Sequence, residues 1–127
     1  MLMPFLTVIT SEIAEGVTAR ITGTILDDTG TPIPTAALTT LKLTLFDKRS
    51  LAILNSRSAV SVLNTAGGTV DSNGLLTMIL SPADNAIVAQ SPVSETHVAL
   101  FTWTYNAGAA TGRAQVEFTI ANLSLVP

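Results

Sequence analysis

The clearest pattern in the chain is the run from residue 96 to residue 122, THVALFTWTYNAGAATGRAQVEFTIAN. In its first half His97, Ala99, Phe101, Trp103 and Tyr105 share one face, and Val98, Leu100, Thr102 and Thr104 share the other. Both faces are substantially apolar, as in a strand with neighbours on each side. In its second half Ala114, Val116, Phe118 and Ile120 alternate with Arg113, Gln115, Glu117 and Thr119. That period of two predicts a half-buried strand. The spacing therefore predicts a long hairpin, one strand central and the other half solvated, joined by the small residues 106–112.

The same alternation recurs upstream. Val17, Ala19, Ile21 and Ile25 alternate with Thr18, Arg20, Thr22 and Thr24, which predicts a strand over 17–26 with Gly23 on its inward set, where it marks a bulge or close packing against an aromatic ring. Leu41, Leu43 and Leu45 predict a second over 38–47, and 75–80 a third; 51–55 and 60–63 are shorter candidates. Between them lie turn signals: Asp27-Asp28-Thr29-Gly30-Thr31-Pro32, residues 64–68 (NTAGG) and Asp71-Ser72-Asn73-Gly74. Residues 33–37 read as an extended connector, because Pro32 and Pro34 disfavour helix before them. Ser81-Pro82-Ala83-Asp84 predicts one helical turn near 81–85, with Ser81 as cap, Pro82 at the first helical position and Asp84 near the positive helix end. Residues 1–10 form an apolar arm or edge strand with Pro4 near its start. The expected architecture is all-β: an immunoglobulin-like β-sandwich of seven to eight mostly antiparallel strands, a single domain over 11–127 preceded by that arm.

Composition sharpens this. Only 12% of the 127 residues are charged, mean hydropathy is +0.51, and 19 residues are Thr. About a quarter of an ordinary soluble domain is charged. Thr suits a pleated surface, and low charge suits a surface covered by other subunits. A net charge of −3 with six scattered Lys and Arg argues against a nucleic-acid partner, and no apolar run is long enough to cross a bilayer. There is no cysteine, so disulfides and thiolate metal sites are excluded. The opening MLMPFL lacks a basic segment and is broken by Pro4, so it does not read as a secretory signal, and cytoplasmic synthesis is expected.

Candidate chemistry is sparse. Asp28-Thr29-Gly30 has the composition of the aspartic-protease triplet, but the later hydrophobic-Gly element of such enzymes is missing and turn chemistry accounts for it. Asp71-Ser72-Asn73-Gly74 opens like a calcium loop without the Glu expected at its twelfth position. Asn122-Leu123-Ser124 has the spacing of a glycosylation acceptor and nothing more. His97 is the only histidine, and with neither cysteine nor clustered carboxylates beside it in the sequence it reads as structural, bonding a backbone group or a neighbouring subunit. Trp103 and Tyr105 offer a sugar-stacking platform only if they face solvent; Trp103 lies in the most apolar strand, which favours the core, where its indole N–H needs a partner. No catalytic, cofactor or metal residues are expected.

Four segments carry a wider likeness: TGTILDDTGTPIPTAALTTLKLTLFD (22–47), Asn64-Thr65 before a Gly-rich loop, VDSNGLLTMILSPADNAIV (70–88) and HVALFTWTYNAG (97–108). In these the chain resembles the small immunoglobulin-like virion proteins of tailed bacteriophages, and the N-terminal domains that attach phage baseplate or fibre proteins to the particle. The resemblance implies a non-enzymatic structural protein, made in the host bacterial cytoplasm and carried in the virion as a homo-oligomer or symmetric ring at the head–tail junction, tail or fibre attachment. Its partners would be portal or adaptor, tail, fibre or capsid subunits, with no cofactor, nucleic acid or membrane. Capsid decoration and a glycan-binding surface module are the alternatives. The expected contact residues are Met1, Leu2, Met3, Pro4, Phe5 and Leu6 of the arm, and Asn106, Ala107 and Gly108 of the hairpin tip.

Overall fold

Three long strands with strict alternation build one side of the molecule. Leu38–Asp47 buries Leu41, Leu43 and Leu45, Ser94–Tyr105 buries Ala99, Phe101, Trp103 and Tyr105, and Ala110–Ala121 buries Val116, Phe118 and Ile120. Each strand turns every second side chain to the same face, so the three together present one continuous apolar surface. The computed structural model describes residues 5–7, 13–88 and 94–122. In chain order its strands are β1 (Phe5–Thr7), β2 (Ile13–Ala14), β3 (Ala19–Thr24), β4 (Leu38–Asp47), β5 (Val60–Ser61), β6 (Gly68–Val70), β7 (Leu75–Leu80), β8 (Ser94–Tyr105) and β9 (Ala110–Ala121). Short 3₁₀ turns occupy Thr35–Ala37 and Pro82–Asn85.

The fold is all-β. One sheet has the order β1-β3-β7-β6 and the other β2-β9-β8-β4-β5. Every strand pairing is antiparallel except β2 with β9, where Ile13 lies against Ile120. The core lies between the sheets: Ile21, Val70, Leu76, Met78 and Leu80 from the first meet the β4, β8 and β9 set from the second. β8 is central, flanked by β4 and β9 along its length. Full burial of one such Leu, Ile or Phe side chain contributes about 1.5–3 kcal/mol.

Local chemistry accounts for the turns. Asp27 Oδ1 accepts from the backbone N–H groups of Thr29 and Thr31 and from the Thr29 hydroxyl, and Gly30 takes φ +85°. Asp71 Oδ1 accepts from Asn73 and Leu75 N–H in the same manner. The turn at Pro82–Asn85 carries a full capping box: Ser81 accepts from Asp84 N–H while the Asp84 carboxylate accepts from Ser81 N–H.

Several expectations are corrected. The described residues hold nine strands rather than seven or eight, because pairing with long neighbours stabilises short pieces such as β2, β5 and β6. Residues 51–55 do not form a strand: Leu51 and Asn55 take φ of 63° and 51°, which breaks the extended run, and only Ile53 bridges to Phe46. Of 60–63 only Val60–Ser61 is strand. The connector 33–37 tightens into a 3₁₀ turn at Thr35–Ala37, after Pro34 rather than before it. The hairpin loop is shorter than the small-residue run, since Ala110 already belongs to β9. Gly23 pairs in register with Leu6 and Leu76, so no bulge forms there; Gly112 lies beneath an aromatic, where a Cβ would meet Trp103 Nε1 and lie 2.6 Å from Trp103 Cε2.

Candidate functional site

The expected contact residues fall in two places. Met1, Leu2, Met3 and Pro4 lie outside the described residues. Phe5 and Leu6 belong to β1, at the edge of the four-stranded sheet, paired with Thr24 and Gly23. Asn106, Ala107 and Gly108 form the exposed tip of the β8–β9 hairpin, all three at positive φ, closed by Gly108 N–H donating to the Tyr105 carbonyl. The arm and the tip are thus elements of different sheets.

The aromatic platform is not formed. Trp103 is 1% exposed and Tyr105 6%, so neither ring offers a face to a sugar. Trp103 Nε1 is buried without a hydrogen-bond partner among the described residues, against expectation; the ring lies flush on the Gly112 backbone, which leaves its N–H no acceptor. The Tyr105 hydroxyl donates to Asp28 Oδ1 and accepts from Asp28 N–H, both at 3.1 Å. Burial first, and the Asp28 carboxylate with it, push the Tyr105 hydroxyl above its usual range. Asp28 is thereby tied to the hairpin as a turn residue. Outside the core, Thr40, Lys42, Thr102, Thr104, Thr111 and Arg113 border an open groove of about 470 Å³ on the outer face of the five-stranded sheet.

Two clusters of buried polar groups remain. In the first, Asp84 is fully buried and its oxygens accept from Arg57 Nε at 2.6 Å, Arg57 Nη2 at 3.1 Å, Asn55 Nδ2 at 2.8 Å and Ser81 N–H at 2.7 Å. Burial alone would raise its pKa, but the Arg57 and Asn55 hydrogen bonds, the Ser81 N–H and the Arg57 charge outweigh it and hold the carboxyl below its ordinary range.

The second cluster gathers Asp47, Glu95 and His97, at 4%, 9% and 0% exposure. Asp47 and His97 are register partners across β4 and β8, and Glu95 precedes His97 by one period on the same face. His97 Nε2 lies 2.6 Å from Glu95 Oε1 and 4.0 Å from Asp47 Oδ1. Glu95 Oε1 also accepts from Val88 N–H at 2.7 Å, and Asp47 Oδ2 accepts from Ser50 N–H and Oγ at 2.8 Å each. The Phe118 ring meets the imidazole edge-on at 5.9 Å. His97 is thus bonded to a side chain rather than a backbone group, and of the two carboxylates beside it Glu95 comes from its own strand and Asp47 from strand pairing. One imidazole nitrogen and two carboxylates, their ligand atoms all within 4.8 Å of one another, form a donor set able to hold a metal ion. The one signal for it in the sequence was Glu95 and His97 at a spacing of two, which any alternating strand produces; Asp47 had none.

No protein-family model, curated protein or solved structure matches the chain.

Proposed function

We propose that this chain is a non-enzymatic structural subunit of a tailed-phage particle, folded as an immunoglobulin-like β-sandwich and assembled in several copies at the head–tail junction, tail or fibre attachment. The observation that carries the reading is the outer edge of β9. β2 pairs only with Ile120 and Ala121, so from Ala110 to Thr119 the strand has no partner on that side among the described residues. An open edge of that length is a template for a strand from another subunit, and left alone it promotes uncontrolled pairing. The outer face of the four-stranded sheet supports the same reading. It presents Leu75 and Ile79, 43% and 40% exposed, among Thr22, Thr24, Thr69 and Thr77, with Arg20 as the only charge on its described strand positions. A surface so poor in charge suits burial against neighbouring subunits.

Quantitative mass spectrometry of purified particles tests the proposal. The expected result is this chain at a fixed, multiple copy number; its absence from particles overturns the reading. Deleting residues 1–10 is expected to lower incorporation, and unchanged copy number would remove the arm as an anchor while leaving the β9 edge.

A further inference from the structure

We propose that Asp47, Glu95 and His97 bind a divalent first-row metal ion, which ties the end of β4 to the start of β8. All three side chains lie on the inward face of the five-stranded sheet, at the end of the core. Imidazole and carboxylate ligands together suit Zn²⁺ or Mn²⁺, with water completing the coordination. Supporting contacts are in place behind both carboxylates, while His97 Nδ1 is buried without a hydrogen-bond partner among the described residues. Ser50 holds Asp47 by Oδ2, Val88 N–H holds Glu95, and such outer contacts aim ligands at a shared ion.

A second observation points the same way. Asp47 Oδ1 lies 4.0 Å from His97 Nε2, too far for a hydrogen bond. Two carboxylates gathered around one imidazole, at 4% and 9% exposure, are costly to hold together without a cation. Lys48, the next residue in the chain, is turned away to Glu117 at 2.9 Å, and Arg57 is engaged by Asp84. Ligands at 2.0–2.1 Å from a tetrahedral ion stand about 3.3 Å apart. The two separations from Nε2, 2.6 Å and 4.0 Å, bracket that distance, so an ion replaces the Nε2–Oε1 hydrogen bond with shifts under about 1 Å. No strand has to move.

The test uses the untagged full chain, freed of metal with EDTA and titrated with Zn²⁺ and, separately, Mn²⁺. His97 is the only histidine, so the imidazole ¹⁵N signals report this site alone. Zn²⁺ is expected to move the Nε2 signal to a coordinated position, to fix the ring proton on Nδ1, and to raise the thermal midpoint by roughly 5–10 °C at a hundredfold excess over Kd. Asp47→Asn is expected to abolish both effects. Should that variant not fold, Ser50→Ala, which removes only the hydroxyl orienting Asp47, is expected to weaken Zn²⁺ binding about tenfold. Unmoved ring signals with both metals at millimolar concentration, or variants that bind as tightly as the parent chain, overturn the proposal and leave a hydrogen-bonded His–Glu pair.

Discussion

Asp84, in the turn after β7, and Asp47, the last residue of β4, are both buried aspartates, yet their surroundings differ in kind. Asp84 meets a guanidinium, an amide and a backbone N–H, so its charge is matched and both its oxygens are satisfied. Asp47 shares its site with a second carboxylate and one imidazole, and its Oδ2 accepts from Ser50 alone, so no full cation matches its charge. A matched buried charge is a structural joint whose loss leaves the partner stranded, whereas an unmatched one is held by the rest of the fold and is available to an ion. The same substitution at the two positions therefore separates them.

Asp84→Asn strands Arg57 and is expected to cost about 3–5 kcal/mol, read from denaturant unfolding. A loss under about 1 kcal/mol would show that Arg57 finds solvent instead. Acid probes the same pair without mutation. Because the Asp84 carboxyl lies below its unfolded value, the unfolded chain binds the extra proton first, and stability present above about pH 4 falls as pH drops through the folded pKa. Unfolding midpoints measured down the pH scale are expected to show that loss in the parent and not in Asp84→Asn. Ser81→Ala removes the hydroxyl of the capping box but keeps the ion pair, for an expected loss of about 1 kcal/mol. The smallest effect is expected for Asp47→Asn in metal-free buffer, within about 1 kcal/mol of the parent, since an amide oxygen still accepts from Ser50. A loss as large as that at Asp84 would mean that Asp47 carries an ion pair in solution and would end the contrast.

Much of the fold was legible before any coordinates. The alternation of Val116, Phe118 and Ile120 and of Leu41, Leu43 and Leu45 marks the buried faces they occupy. Ser81, Pro82 and Asp84 announce the helical turn, and the structure adds the reciprocal bond from Ser81 N–H to the Asp84 carboxylate. The DDTG and DSNG turns form as their side-chain acceptors require. Two errors share one origin. Leu51 and Asn55 sit in an apolar stretch of strand composition, but the loop closing onto Leu45 and Asp47 forces them to positive φ. Arg57 read as a scattered surface charge, and its burial beside Asp84 depends on that same loop returning to the capped turn.

The sequence by itself determined where strands run, which residues of each face inward and which segments turn. Those properties arise within a few residues, from the period of the pleat and from side chains bonding their own backbone. Only the tertiary structure decided that Asp47 stands opposite His97, that Gly112 receives the Trp103 ring, and that β2 pairs with β9 only at Ile120 and Ala121. These depend on which strands become neighbours and in what register. A pattern of period two specifies the face of each strand but not the partner across it, because many partners present the same alternation.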